Sequence, residues 1–256
     1  MIPTWHHLIQ DLVFNRYYEP FLGGGSTFFS LPDKHDSFLS DMNSDLIQTY
    51  KQVKDSPIEV YEAFSRLTNS EEMYYRIRAR KCQTDITRAA RFIYLNQTSY
   101  NGLYRVNLRG EYNVPYGFRT VDYKRERLEL ASSTLKRQNA QLKCCDFEQA
   151  LEDVGERDLV FLDPPYTVSQ GSDNGFIKYN EKIFSLNDQV RLSKCINRIA
   201  EKGAYYILTN AAHPTLEKIF KTDGGRVFHI SRSSTIGGRN ATRGAVTEFI
   251  FTNIRK

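Results

Sequence analysis

The sequence predicts an α/β protein whose sheet is interrupted by a helical insert. Three observations carry this reading. Short apolar runs ending in Gly or Asp open the chain, strand signals resume near its residue 140, and between them residues 56–98 read as helices rich in Glu, Arg and Tyr. The expected organisation is a core domain split between residues 1–55 and 140–256, with the insert at 56–139.

Each element has its own signal. After Pro3-Thr4, the residues Trp5, Leu8, Ile9, Leu12 and Val13 recur at helical spacing and predict a short amphipathic helix. Tyr17–Leu22 is an apolar strand running into Gly23-Gly24-Gly25, and the small-to-apolar stretch Ser26–Phe29 can start a helix. Phe38–Asp41 is a second short strand ending in an acid, followed by the helix-like Asp45–Val53, so the opening reads βαβα, the start of a parallel sheet. Asn107–Gly117 predicts a hairpin with glycine at its turn. Further strands are expected at Gln141–Asp146, Asp158–Leu162, Ala204–Asn210, Val227–Ile230 and Val246–Phe251, with a helix over Asn187–Glu201. No internal repeat or low-complexity linker breaks the series.

Composition narrows the function classes. A chain of 256 residues, 40% hydrophobic and 25% charged, can bury a substantial core and is neither disordered nor fibrous. No apolar run approaches the roughly 18 residues that cross a bilayer, and the first residues lack a signal-peptide charge pattern, so a cytoplasmic protein without membrane contact is expected. Cys82, Cys144, Cys145 and Cys195 form no C-x-x-C, and the five histidines show no ligand spacing with them, which predicts reduced thiols and no metal.

The net charge of +5 is unevenly spread. Arg76 to Lys143 holds 15 Lys+Arg against 5 Asp+Glu, a net of +10, which leaves 20 against 25, a net of −5, for the other residues. A basic middle flanked by acidic ends is what a polyanion-binding insert in an acidic body looks like; taken alone, such a segment is also compatible with a solvated helical face. The aromatic-rich run Tyr94–Tyr104 lies within it, and basic residues mixed with aromatics suit phosphate contact plus base stacking.

The strongest chemical signal is Asp163-Pro164-Pro165-Tyr166, delivered by the apolar run Asp158–Leu162 to the strand end where ligands bind in open α/β sheets. An exocyclic amine on adenine is a poor nucleophile because its lone pair is delocalised into the ring. A carboxylate at Asp163 and the Pro164 carbonyl could accept its two N–H bonds and favour the pyramidal nitrogen that attacks a methyl group. Prolines fix φ and add no competing N–H, so the loop stays rigid, and Tyr166 offers a face on which an extruded base can stack. A structural turn after a buried strand would not call for all four residue types.

The second signal is Glu19-Pro20-Phe21-Leu22-Gly23-Gly24-Gly25, where glycines let the backbone approach a ligand closely. Phe28 stands where a dinucleotide fingerprint wants Gly or Ala, and no G-x-x-x-x-G-K-[ST] is present, which favours a nucleoside cofactor without phosphates. Asp41 closes the next strand about 20 residues after the glycines begin, the place where an acid bonds ribose hydroxyls. Asp146-Phe147 follows a third strand, where a carboxylate can accept from an adenine amino group and a ring can pack on the base. Either acid alone would also serve as a helix cap.

With these pieces in order, the chain resembles the Dam-type DNA adenine-N6 methyltransferases over nearly its whole length. The resemblance rests on Glu19–Gly25, Tyr94–Arg105, Asn113–Gly117, Asp163–Tyr166, the Phe176/Tyr179/Phe184 spacing and Val246–Asn253. It implies a Rossmann-like S-adenosylmethionine-dependent methyltransferase sheet carrying an inserted helical target-recognition domain, and duplex DNA as partner. It also implies S-adenosyl-L-methionine as cofactor, leaving as S-adenosyl-L-homocysteine. By that likeness Glu19, Phe21, Gly23 and Gly25 line the cofactor pocket, Asp41 holds its ribose, and Asp146 and Phe147 hold its adenine. Asp163, which also borders the cofactor, holds the target base together with Pro164, Pro165 and Tyr166.

In this family the segment matching Tyr100–Arg105 reads DNA around GATC. The likeness makes Arg105 a guanine contact, Tyr100, Asn101 and Leu103 supports or wedges for the duplex, and Pro115 a contact to a thymine methyl. Residues 167–180, with Gly171 and Gly175, would form a lid over the flipped base. One departure stands out: the family's Lys-Trp-x-Gly-Gly-Lys-like segment is missing, and Trp5 sits in the first expected helix. Two alternatives follow, a DNA-binding protein with an impaired cofactor site and a methyltransferase acting on cytosine N4 or on RNA. A zinc deaminase would need H-x-E and P-C-x-x-C, and neither occurs. The oligomeric state is not set by the sequence; a monomer is the working expectation.

Overall fold

The computed structural model describes residues 6–31, 35–107, 109–166, 184–221, 224–233 and 245–255. Its sheet contains β1 (Arg16–Glu19), β2 (Asp36–Asp41), β3 (Gln141–Cys144), β4 (Leu159–Leu162), β5 (Tyr205–Ala211), β6 (Arg226–Ser233) and β7 (Ala245–Thr252) in the order β3-β2-β1-β4-β5-β7-β6. β1 is parallel to both β2 and β4, and β4 to β5, whereas β7 runs antiparallel between β5 and β6. The antiparallel pair has a simple cause: residues 234–244 are too few for the crossover that a parallel β6–β7 pair needs. The fold is therefore mixed α/β, and the chain divides into two compact units, Met1–Met42 with Cys145–Lys256, and Asn43–Cys144.

In the first unit every residue of β4 is buried, which explains its unbroken Leu-Val-Phe-Leu sequence: a strand covered on both faces has no polar side. The helix α1 (His6–Ile9) ends sooner than the sequence spacing suggests. Val13 is 70% exposed, so a further turn would have no apolar surface to bury, and Trp5 lies outside the described residues. After β1 comes α2 (Ser26–Ser30). The short α8 (Phe147–Ala150) precedes β4, and the long α9 (Leu186–Glu201) and α10 (Pro214–Phe220) flank β5. Leu192, Cys195, Ile196 and Ile199 form the buried stripe of α9, and Ser185 with Asp188 closes a reciprocal cap at its start.

Two buried carboxyl groups fix the strand ends. Asp158, 1% exposed, receives a forked contact from Arg16 at the start of β1, with Nη2–Oδ2 at 2.7 Å and Nε–Oδ1 at 3.1 Å, and also the Gly155 N–H at 2.8 Å. At the other end of β1, the buried Glu19 Oε2 accepts the Tyr17 hydroxyl at 2.8 Å and the Phe28 N–H at 3.2 Å, tying the strand to α2. Burial, with the nearby Asp163 adding repulsion, pushes the Glu19 carboxyl up to about 8.

The Asn43–Cys144 unit is helical, with α3 (Ser44–Asp55), α4 (Pro57–Ser65), α5 (Glu71–Ala79), α6 (Asp85–Thr98) and α7 (Arg125–Arg137). Val53, Val60 and Ala89 form one core; Phe64, Tyr74, Tyr94, Leu95, Tyr112 and Val114 form another. The expected hairpin consists of two isolated bridges, Val106↔Tyr112 and Ser99↔Tyr116, instead of a ladder. Its turn is held by the Asn107 side chain, whose Oδ1 accepts the Arg109 and Glu111 N–H groups at 2.9 and 3.0 Å, while Gly110 takes φ +76°.

Removing a partner from the Arg16–Asp158 pair leaves a charge stranded. Asp158→Ala is expected to cost about 3 kcal/mol in chemical denaturation. Glu19 predicts a pH effect. The folded state keeps a proton that the unfolded chain, with the ordinary carboxyl value of 4.5, releases, so parent stability declines as pH rises from about 4.5 to about 8. Glu19→Gln should flatten that slope, gaining about 2–4 kcal/mol on the parent between pH 5 and 8; parallel curves for the two proteins would contradict the buried proton.

Candidate active site

The parallel registers bring the carboxyl ends of β1, β2, β4 and β5 to one edge of the first unit. β1 lies between β2 and β4 there, a switch point that opens a crevice in such sheets. From β1 the chain enters the glycine loop. Gly25 N–H closes a turn on the Leu22 carbonyl at 2.7 Å, and Gly23 and Gly25 adopt φ +46° and +64°, conformations open to glycine without strain. Among the described residues, a methyl group built at Gly23 or Gly24 meets nothing within 4 Å, so these residues leave space in front of the loop. Asp41, at the end of β2, steadies the loop by accepting the Gly23 N–H on Oδ2 at 3.0 Å.

Phe21 leads into this loop and meets Phe147 and Phe184, each at 5.5 Å between ring centroids. The Arg191 guanidinium covers Phe147 at 4.8 Å and pairs with Asp146 at 2.9 Å, Glu148 at 3.1 Å and Asp188 at 2.9 Å. This acidic surround holds Arg191 above its ordinary range. Asp146 Oδ1 also accepts the Glu148 N–H at 2.9 Å and so caps α8, the helix-cap role that its sequence position left open.

The Asp163–Tyr166 corner starts where β4 leaves the core. Asp163 is exposed, Pro164 is buried, and Pro165 and Tyr166 are half-buried, with Tyr166 packed on the same apolar cluster as Phe21. Leu162 pairs with Leu208, so the next residues, Asp163 and Thr209, stand side by side. The Thr209 hydroxyl donates to Asp163 Oδ1 at 2.6 Å, fixing one carboxylate oxygen. The neighbouring Asn210 is fully buried and donates to Gln189 on α9 at 3.0 Å. Sequence reasoning missed Thr209 and Arg191. The clue to the first was a polar Thr-Asn pair closing an otherwise apolar strand; Arg191 gave no local signal, because its partners are set by packing.

The residues expected to read DNA gather on one turn of the Asn43–Cys144 unit. Tyr100 is 44% exposed, and its N–H donates to the carbonyl of the exposed Pro115 at 2.9 Å. Asn101 sits at φ +53°, Leu103 is half-buried, and Arg105 is exposed with its Nε donating to Asn113 Oδ1 at 2.8 Å. Gly117 permits this fold-over: a Cβ there would collide with the Ser99 carbonyl. Phe176, Tyr179 and the expected lid at 167–180 lie outside the described residues. Among the described residues no cluster of three or more potential metal ligands occurs, and no helix is long and apolar enough to cross a membrane.

Comparison with known proteins identifies the family. Residues 6–236 match the family described as D12 class N6 adenine-specific DNA methyltransferase. The chain is 35% identical to the type II methyltransferase M1.LlaDCHI of Lactococcus lactis subsp. cremoris, over 99% of this chain and 91% of that protein. It is 36% identical to the type II methyltransferase M.MjaIII of Methanocaldococcus jannaschii, over 77% and 73%, and 34% identical to the DNA adenine methylase of Escherichia coli K12, over 91% and 84%. The seven-stranded sheet is consistent with the fold of S-adenosylmethionine-dependent methyltransferases. The chain belongs to the D12 class of N6 adenine-specific DNA methyltransferases.

Proposed function

We propose that this enzyme uses S-adenosyl-L-methionine to methylate adenine N6 in duplex DNA at GATC, after the adenine has rotated out of the helix into the Asp163–Tyr166 corner. The observation that supports it most is an exposed carboxylate, held by a buried threonine hydroxyl at a strand end, beside an open glycine loop. The residues present fit the cofactor. Open space before Gly23 and Gly24 admits a ligand without a phosphate grip, and Asp41 with Asp163 offers carboxylates to a cationic donor with hydroxyls. Glu19, Phe21, Gly25 and Phe147 would complete the pocket. Asp146 is the least suited member, since its Oδ1 already serves Arg191 and the α8 cap.

When bound, S-adenosyl-L-methionine supplies an electrophilic methyl group on a sulfonium. The protein's part is to hold the amine. Asp163 accepts one N6 N–H and the Pro164 carbonyl the other, which draws the lone pair out of ring conjugation toward the methyl group; the surplus N6 proton left by methylation then passes to water. Tyr166 stacks on the base, and Thr209 keeps the carboxylate from turning away. In the proposed recognition insert, residues 56–139, Arg105 reads a guanine, Pro115 touches a thymine methyl, and Tyr100, Asn101 and Leu103 hold the duplex apart. Extrusion costs a few kcal/mol, a scale that one wedge and one stacking tyrosine can meet.

Plasmid DNA treated with protein and cofactor should become resistant to an endonuclease blocked by GATC methylation and stay sensitive to one that is not; uniform sensitivity would rule out this specificity. Asp163→Ala should abolish transfer while DNA affinity stays within about twofold of the parent. Thr209→Val should lower kcat about tenfold with KM for DNA little changed, and Thr209→Ser should restore it; an equally impaired serine variant would remove the positioning role. Arg105→Ala should narrow the gap between cognate and single-mismatch sites by about 1–3 kcal/mol at one guanine only.

A further inference from the structure

Arg191, on α9, gathers more carboxylates than an ion pair needs. Its Nη2 meets Asp146 Oδ1 at 2.9 Å and Glu148 Oε2 at 3.1 Å, and its Nη1 meets Asp188 Oδ1 at 2.9 Å. Three acids around one cation leave a negative surplus. The side chains of Arg191, Asp146 and Glu148 are between 33% and 39% exposed, and ion pairs in such contact with water add little stability. The value of the cluster lies in the geometry that it sets.

That geometry is passed along a fixed chain of contacts. Ser185 donates to Asp188 Oδ2 through its N–H at 2.8 Å and its hydroxyl at 2.7 Å, so the cap of α9 locks Asp188, and Asp188 in turn holds Arg191. Arg191 Nη2 and the Glu148 N–H then hold Asp146 Oδ1, each at 2.9 Å. Among the described residues nothing donates to Asp146 Oδ2. The same guanidinium lies over the Phe147 ring at 4.8 Å, and Phe21 and Phe184 stand beside that ring at 5.5 and 5.7 Å. The outcome is one carboxylate oxygen held in a set direction next to an aromatic wall. Such a pair suits a flat ring that carries an amino group.

We propose that Arg191 is a positioning residue that makes the cofactor site select a 6-aminopurine over a 6-oxopurine, acting through Asp146 and Phe147. The inference rests on the reading of these two residues as the adenine subsite, and it makes Oδ2 the oxygen that serves the cofactor. An amino group donates to that oxygen. A 6-oxo group sets a lone pair against it, and the ring N1–H beside the oxo group can reach a carboxylate only if the carboxylate is able to turn. Arg191 prevents that turn.

The test is calorimetric binding of S-adenosyl-L-homocysteine and S-inosyl-L-homocysteine to the full chain and to its Arg191→Met, Arg191→Lys and Arg198→Met variants. Arg198 lies on the same helix and meets Cys195 Sγ at 3.0 Å, so its loss removes an equal charge without releasing Asp146. The parent and Arg198→Met should prefer the adenosyl compound about tenfold or more, and Arg191→Met should narrow the preference to about threefold or less. Arg191→Lys keeps the charge but loses the fork and should narrow it likewise, which carries the test alone if the methionine variant does not fold. A preference unchanged in the Arg191 variants, even where both compounds weaken in parallel, overturns the proposal. So does an equal narrowing in Arg198→Met, or a parent that binds both compounds alike. A parent that binds neither compound is a different result: it overturns the cofactor reading itself, and this proposal with it.

Discussion

The hydrogen bond from Thr209 to Asp163 joins neighbouring strands at the point where β4 passes from a dry core into solvent. On one side of that point every side chain of β4 is buried; on the other stands an exposed carboxylate followed by two rigid prolines. A free aspartate in water turns easily and is well hydrated. Holding one oxygen to the hydroxyl of a residue only 4% exposed removes much of that freedom before any ligand arrives, and preorganised acceptors gain most of their catalytic value in this way. The rest of the first unit serves this placement. Arg16 and Asp158 fix the far ends of β1 and β4, Glu19 ties β1 to α2, and Asp41 steadies the loop between them.

The two units divide the labour. One carries the strand ends, the glycine loop and the acid corner; the other carries the basic surplus and a turn that exposes Tyr100, Asn101 and Arg105. Chemistry needs fixed acceptors on rigid elements. Recognition of a polyanion needs cations and aromatic faces on a surface. That separation lets the exposed turn vary without disturbing the corner that we propose holds the amine.

Much of this was legible in the residues because local rules decided it. An apolar run ending in Asp163-Pro164-Pro165-Tyr166 can only deliver an acid at a strand end, and glycines at 23 and 25 mark backbone that needs positive φ. What stayed hidden depends on contacts distant in the chain. Thr209 reaches Asp163 across 46 residues, and Arg191 reaches Asp146 across 45, so neither role shows in local spacing. The first helix was over-read because periodicity at Leu12 and Val13 says nothing about whether a surface is there to cover them. In the 107–117 segment asparagine and glycine specify the hairpin turn, but the length of the pairing beyond it, here isolated bridges, depends on packing.

The most direct measurement of the central claim is the fluorescence of 2-aminopurine placed at the target adenine of a GATC duplex, titrated with the enzyme and S-adenosyl-L-homocysteine. Extrusion of the base from its stack predicts a strong rise in emission, confined to that position and absent when the probe replaces the adenine in a duplex lacking GATC. Emission that stays quenched at protein concentrations saturating the duplex would contradict an acid–proline–tyrosine corner acting on an everted base.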